Sequence, residues 1–173
     1  MKFSPEDQLT IAVCENFIKE ASQIFSEQGW NEIHLISFPA RCGRPSIAAE
    51  EIMILPHRSS DTILIGGHCL SDLHRLEGVK TVVEKNCFSF LCGRTFVRQL
   101  VAEGAFLISP AWLRNWKSGE EEFIPGQDQL AAVDEAVTNK VVLVDTLIDA
   151  QSKNFFDIFL QTTGSKGERI EVG

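Results

Sequence analysis

The sequence predicts one α/β domain over residues 1–173, built in three layers with a mainly parallel five-stranded sheet and helices on both faces. Short β-prone segments alternate with helical segments along the whole chain. The segment 140–145, KVVLVD, is almost continuously apolar, as is typical of a strand covered by helices on both sides. A chain of 173 residues can bury one core without disulfide or metal support.

The N-terminal half predicts two helices and three strands. Ser4-Pro5-Glu6-Asp7 has the pattern of a helix start, and Leu9, Val13 and later apolar residues follow at helical spacing up to Gly29. The other predicted elements are strands at 32–38, 62–66 and 79–84, with a turn-rich segment after Phe38 and a helix over 46–55.

The C-terminal half continues the alternation. Ser109 and Pro110 have the pattern of a helix cap followed by the first helical residue. The predicted elements are a helix from 87 or 88 to 103, a strand at 105–109, a helix from Pro110, a helix over 127–138, a strand at 140–145, a helix over 152–162, and the start of a further strand at 169–173.

Composition excludes several classes of partner. The net charge is −8 and the basic residues are not clustered, which argues against nucleic acid or an anionic membrane. No apolar run approaches the ~20 residues that span a bilayer. The N-terminal residues MKFSPEDQ do not have the pattern of a signal peptide, so we expect a cytoplasmic protein. In that reducing compartment the five cysteines are expected to bind metal or act as thiols rather than form structural disulfides.

Three predicted strands are each followed by a cysteine. Cys42 follows the first, His68 and Cys69 follow the second, and Cys87 follows the third. Parallel strands place their carboxyl ends on one edge of the sheet, so these side chains are expected to converge there. Three thiolates and one imidazole suit zinc or an iron–sulfur centre. His68 is the nearest fourth ligand, and the flexible pair Gly66–Gly67 permits the irregular loop that this requires.

Other interpretations of the cysteines remain open. Cys87 falls at the first turn of a predicted helix, where a thiolate is stabilised, so a thiol-dependent enzyme with Cys87 as nucleophile and His68 as base is an alternative. A pocket for a small organic metabolite, in which the cysteines merely pack, is another. Cys14 and Cys92 are interpreted as core residues.

Three further residues are candidates for contact with a ligand. Asp145 ends an apolar strand and could hold a ligand, or it could cap the next helix. Trp112 lies near the predicted site edge and forms either an aromatic wall or core packing. Arg41 lies in a turn rich in glycine and proline, where it could bind a carboxylate or phosphate or simply remain solvated.

Five stretches of the chain together resemble one family. They are FPARCGRP, DTILIGGHC, NCFSFLCG, GAFLISPAWLRNW and VVLVDTLIDAQS, and they span residues 38 to about 152. They are similar to an uncharacterised group of prokaryotic domains of unknown function that form the N-terminal sensory region of archaeal and bacterial sensor histidine kinases. Residues 104–113 fit its motif G-x-[FY]-L-x-[ST]-P-x-W-L, with Ala111 where glycine is usual.

The resemblance implies a function as well as a fold. Family members retain cysteines at positions that match Cys42, Cys69 and Cys87. The implied protein is a cytoplasmic sensory input domain, not itself an enzyme. It would signal to C-terminal PAS and kinase regions. The resemblance does not name the ligand; from the cysteine pattern we expect zinc or iron, a metal-containing cofactor or another small-molecule ligand at these cysteines. A homodimer is compatible with this reading.

Overall fold

The computed structural model describes residues 9–42, 45–53, 62–73, 79–118 and 140–172. The chain divides into two compact units, Met1–Cys87 and Phe88–Gly173. One contains a four-stranded sheet and the other a three-stranded sheet, and every strand pair in both is parallel. The predicted α/β class with parallel strands is therefore confirmed. The predicted single five-stranded, three-layer sheet is wrong.

The first sheet has the strand order β2-β1-β3-β4. The predicted strands at 32–38, 62–66 and 79–84 are confirmed, and a fourth was not predicted. The strands are β1 (Thr10–Cys14), β2 (His34–Phe38), β3 (Thr62–Gly66) and β4 (Val79–Val83), and the helices of this unit are α1 (Ile18–Gln28) and α2 (Ala49–Met53).

The N-terminal helix prediction is wrong over β1. All five residues of this strand are buried, and β1 pairs with β2 on one side and β3 on the other. A central parallel strand favours a continuous apolar run with β-branched residues, and Thr10, Ile11 and Val13 supply it. The four-residue spacing of apolar side chains therefore indicated the wrong element. The helix itself is shorter and ends at Gly29, whose φ of 67° is the usual left-handed helix end.

The direction of chain progression reverses beside β1. The chain leaves β1 for β2 on one side and then passes to β3 on the other side. In open α/β sheets, ligands bind at such a reversal, outside the carboxyl ends of the two strands. Below this edge the core is closed by buried side chains, among them Ala12, Phe38, Ile47, Ile52, Leu64, Leu70 and Leu73.

The predicted helix over 88–103 is interrupted. The structure has a one-turn helix α3 (Ser89–Cys92) and a second helix α4 (Arg94–Ala102). Gly93 separates them, with φ 81° and ψ 150°. A right-handed helix cannot pass through that conformation, which glycine alone adopts readily.

The second sheet has the order β5-β6-β7. Ser109 Oγ accepts a hydrogen bond from the Trp112 N–H at 3.2 Å, which confirms the predicted helix cap. The predicted helix over 127–138 lies outside the described residues. The elements are β5 (Phe106–Ile108), α5 (Pro110–Ser118), β6 (Lys140–Asp145), α6 (Ser152–Thr163) and β7 (Lys166–Glu171). No helix in the described ranges has both the length and the apolar character needed to cross a bilayer.

Candidate functional site

Every strand of the first sheet leads to a cysteine. Cys14 is the last residue of β1, and Cys42, Cys69 and Cys87 follow β2, β3 and β4 within a few residues. Because the strands are parallel, their carboxyl ends share one edge. None of the five cysteines, all of which the structure describes, is in a disulfide. The edge therefore carries four thiols where the sequence predicted three.

Asn16 contacts two of these cysteines. It lies in the short 3-10 helix Glu15–Phe17 that follows β1, and it is 3% exposed. Its side-chain Nδ2 donates to Cys42 Sγ at 3.6 Å, and its backbone N–H donates to the sulfur of Cys14. The remaining polar atom, Oδ1, is buried and has no hydrogen-bond partner among the described residues.

Further contacts hold the cysteine-bearing loops together. The Ala40 N–H donates to Glu15 Oε1 at 2.9 Å, which ties the loop of Cys42 to the residue after Cys14. The Ile47 N–H donates to the Cys69 carbonyl at 2.9 Å. The Ser46 and Ser71 hydroxyls, 3.2 Å apart, also join the segment that follows β2 to the segment that follows β3.

Gly67 brings the loop of Cys69 against Cys87. A methyl group placed on Gly67 would lie 3.4 Å from Cys87 Cβ and 3.8 Å from Cys87 Sγ. These are ordinary van der Waals distances, so the loop after β3 and Cys87 are near neighbours at this position. Contacts therefore connect the segment of Cys14 to that of Cys42, the segment of Cys42 to that of Cys69, and the segment of Cys69 to Cys87.

The electrostatics of the thiols also show their proximity. Burial raises the pKa of Cys14; the Asn16 N–H opposes that rise, and Cys42, Cys87 and Cys69 add to it. Burial likewise raises the pKa of Cys42, and Cys69 contributes in the same direction against the Asn16 side chain. Burial raises the pKa of Cys69 as well, opposed by the Gly67 N–H. Each raised pKa favours the protonated thiol.

The cysteines lie at one edge of the sheet, but their side chains are not arranged as the ligands of a metal ion. No group of three or more Cys, His, Asp or Glu side chains in the described ranges is arranged to hold a metal ion. His68, the predicted fourth ligand, is exposed and begins the 3-10 helix His68–Leu73. A bound ion would therefore require the cysteine side chains to reorient.

Arg41 lies beside Cys42 and is held by an acid. Its guanidinium forms an ion pair with Glu51, and its Nε is buried without a hydrogen-bond partner among the residues described. Hydrogen bonds from the Ala48 N–H and then from Arg41 lower the pKa of Glu51. Arg41 therefore has an acidic partner, and its role in ligand binding stays a prediction.

Asp145 lies in the second unit, where its oxygens have protein partners. The Leu147 N–H donates to Oδ1 at 2.9 Å, and Arg169 Nε and Ser152 Oγ donate to Oδ2. These are loop and strand contacts rather than a cap on the amides of α6, whose preceding residue Gln151 makes no side-chain cap. The role of Asp145 in ligand binding stays a prediction.

Trp112 also belongs to the second unit and packs in its core. It is 7% exposed and contacts Phe106 and Phe159 edge to face, with ring centroids 6.1 and 5.7 Å apart. These contacts support the packing interpretation of this side chain. The other members of that core are Ile108, Leu113, Val141, Leu143 and Phe156.

The interpretation of Cys14 as a core residue is confirmed, because it is 5% exposed and belongs to the core of the first unit. The sequence pattern does not predict its place at the end of a strand, because the apolar residues of TIAVC also fit a helical period. Sequence reasoning also missed Asn16. Asn16 carries no signal of its own in the sequence. Its importance follows only from the approach of the loop after β2 to the end of β1.

Comparisons of the chain with protein-family models, with curated proteins and with solved structures gave no match. The resemblance to sensory domains of histidine kinases therefore stays a prediction.

Proposed function

We propose that the chain is a cytoplasmic sensory domain that binds zinc, iron or a metal-containing cofactor through cysteines at the edge of its first sheet. The observation that carries this proposal is that four neighbouring strands each deliver one cysteine to the same edge. The edge includes the carboxyl ends of β1 and β3, between which the strand order reverses, and open α/β sheets bind ligands at such a point.

The chemistry of the donor set favours a soft cation. Thiolate sulfur prefers zinc, Cu(I) or iron–sulfur centres over hard cations. Without a cation, burial and neighbouring sulfurs keep Cys14 and Cys42 protonated, because both effects raise the pKa of the thiol. A bound cation reverses the local electrostatics and makes thiolates favourable, so that binding releases protons.

The signalling step is supported by the resemblance to kinase input domains. We propose that occupancy of the site changes the conformation of the loops after the strands and is passed to C-terminal PAS and kinase regions of a parent protein. A homodimer is compatible with this proposal. No catalysis by this domain is part of the proposal.

Elemental analysis of protein purified without oxygen tests the proposal. We expect a stoichiometric content of zinc or iron, or stoichiometric uptake of added Zn²⁺ by the metal-stripped protein. Replacing Cys42, Cys69 and Cys87 together with serine should abolish binding. Cys92→Ser is the matched control, because Cys92 lies in the second unit and donates to the Phe88 carbonyl. Protein that neither contains nor takes up zinc or iron would contradict the proposal.

Alkylation separates this function from the thiol-dependent enzyme. That alternative relied on Cys87 at the start of a long helix, but the helix that follows has only one turn before Gly93. A helix dipole of that length gives little stabilisation to a thiolate. We expect iodoacetamide to label Cys87 only after a chelator is added. Rapid labelling of the metal-loaded protein would favour the enzyme. Metal-independent stability of the triple serine variant would favour the metabolite pocket.

A further inference from the structure

We infer that Cys14 is the fourth sulfur ligand of this centre, in place of His68, and that Asn16 positions Cys14 and Cys42 for binding. The inference rests on the proposed function and deepens it by fixing the donor set. A site of four thiolates takes a tetrahedral thiophilic ion such as Zn²⁺, or an iron–sulfur cluster, and leaves no ligand position for imidazole.

The position of Cys14 in the sheet supports this assignment. β1 is flanked by β2 and β3, so its last residue lies at the point where the strand order reverses. In the register of the sheet, Cys14 lies opposite Phe38, the last residue of β2. Cys14 is buried in the core of the first unit at 5% exposure, and it lies near enough to Cys42, Cys69 and Cys87 for each to act on it electrostatically.

Asn16 supplies the independent observation. One buried residue donates from its backbone to Cys14 and from its side chain to Cys42, the two N–H groups reaching different sulfurs. The side-chain Nδ2 of Asn16 faces Cys42 Sγ, whereas Oδ1 has no hydrogen-bond partner among the described residues. A donor directed at sulfur stabilises a thiolate, which is the form that ligates a metal. Such outer contacts orient ligands and tune metal affinity.

The position of His68 argues in the same direction. His68 is exposed, as is the proposed ligand Cys42, whereas Cys14 is buried within the cluster. The 3-10 helix that starts at His68 places Cys69 next in the chain, and Cys69 packs against the same core as Cys14. His68 can therefore be replaced without removing a donor from this set.

X-ray absorption on the full chain loaded with Zn²⁺ counts the sulfurs directly. We expect four zinc–sulfur distances of about 2.3 Å and no nitrogen shell. Cys14→Ser should lose one sulfur and at least about tenfold in Zn²⁺ affinity, whereas His68→Ala and the control Cys92→Ser should match the parent protein. The spectrum of the parent protein decides the count even if Cys14→Ser does not fold.

Cobalt substitution tests the positioning role of Asn16. In Asn16→Leu the side-chain donor is lost while the backbone N–H remains. We expect the sulfur-to-cobalt charge-transfer band to shift with the Co²⁺ stoichiometry unchanged, and Asn16→Gln to restore part of the shift. An unshifted band in Asn16→Leu would overturn this role.

The outcomes separate the two proposals. Three sulfurs and one nitrogen in the parent protein, with the nitrogen lost in His68→Ala, would overturn the assignment of Cys14 but leave the metal-binding function intact. A parent protein that binds neither Zn²⁺ nor Co²⁺ would overturn both. A fully retained sulfur count in Cys14→Ser would overturn this inference alone.

Discussion

Arg169 Nε lies 2.6 Å from Asp145 Oδ2 and joins β7 to the last residue of β6. Asp145 is fully buried, whereas Arg169 is partly exposed. A carboxylate removed from water is stable only when donors surround it, and here Ser152 and the Leu147 N–H complete the set. The ion pair therefore anchors both the end of the central strand and the loop that follows it.

Removal of the Arg169 side chain should destabilise the second unit. Arg169→Leu leaves a buried charge with one donor fewer, and we expect a loss of about 3 kcal/mol in the free energy of unfolding. Lys140→Ala is the matched control, because Lys140 and Glu168 also join β6 to β7, at 2.5 Å, but are both exposed. That change should cost less than about 1 kcal/mol. Urea denaturation compares the two, and equal losses would contradict the prediction.

The contribution of Asp145 should disappear in acid. Burial raises the pKa of this carboxyl, but hydrogen bonds from Ser152, Arg169 and Leu147 outweigh it and lower the pKa. A carboxyl with a depressed folded pKa stabilises fully above its unfolded pKa, about 3.9, and loses that contribution as pH falls through the folded value. We expect the stability difference between the parent and Asp145→Asn to be largest near pH 7 and to shrink below about pH 4. A constant difference over that range would refute it.

Gly93 should resist substitution more strongly than Gly29. A methyl group at either position meets no atom within 4 Å, so that only backbone conformation differs. Gly29 has a left-handed helical conformation, whereas Gly93 has φ 81° and ψ 150°, a region almost restricted to glycine. We expect Gly93→Ala to cost about 2 kcal/mol and Gly29→Ala about 1 kcal/mol. Thermal or urea unfolding of the two variants gives the order, and the reverse order would contradict it.

The adjacent glycines after β3 should separate stability from binding. A methyl group on Gly66 would lie 2.8 Å from Leu70 Cδ1 and 3.1 Å from Phe38 Cζ, both in the core, so Gly66→Ala should destabilise by about 1–3 kcal/mol. A methyl group on Gly67 would make ordinary contact with Cys87. Gly67→Ala should preserve stability and weaken Zn²⁺ uptake, because Cys87 can no longer reorient freely. Unfolding and metal titration of both variants test this contrast.

Much of the fold could be predicted locally. The strands at 62–66 and 140–145 were predicted at their observed bounds, since each is a short β-rich run between breakers. The strand β1 was missed because its apolar residues also fit a helical period, and only its burial between two neighbours selects the extended form. The division into two sheets depends on pairing between distant segments, which local patterns do not specify.

Local sequence patterns also predict part of the candidate site. The positions of Cys42, Cys69 and Cys87 after strands follow from local patterns, and parallel pairing brings them to one edge. The approach of Asn16 to Cys42 depends on loop conformation after β2, which composition does not determine. The ion pair of Arg41 with Glu51 likewise depends on the conformation of the segment after β2 and could not be predicted from composition.

The central place of β1 has a consequence for biosynthesis. On the ribosome, β1 emerges before the other three strands of its sheet, yet its second edge is covered only when β3 has been translated. The last thiol of the edge arrives with Cys87. Pairing between segments so distant in the chain is slow to form. The nascent polypeptide must therefore complete the whole first unit before its sulfurs can meet, and any ion they share would be captured after that unit has left the exit tunnel.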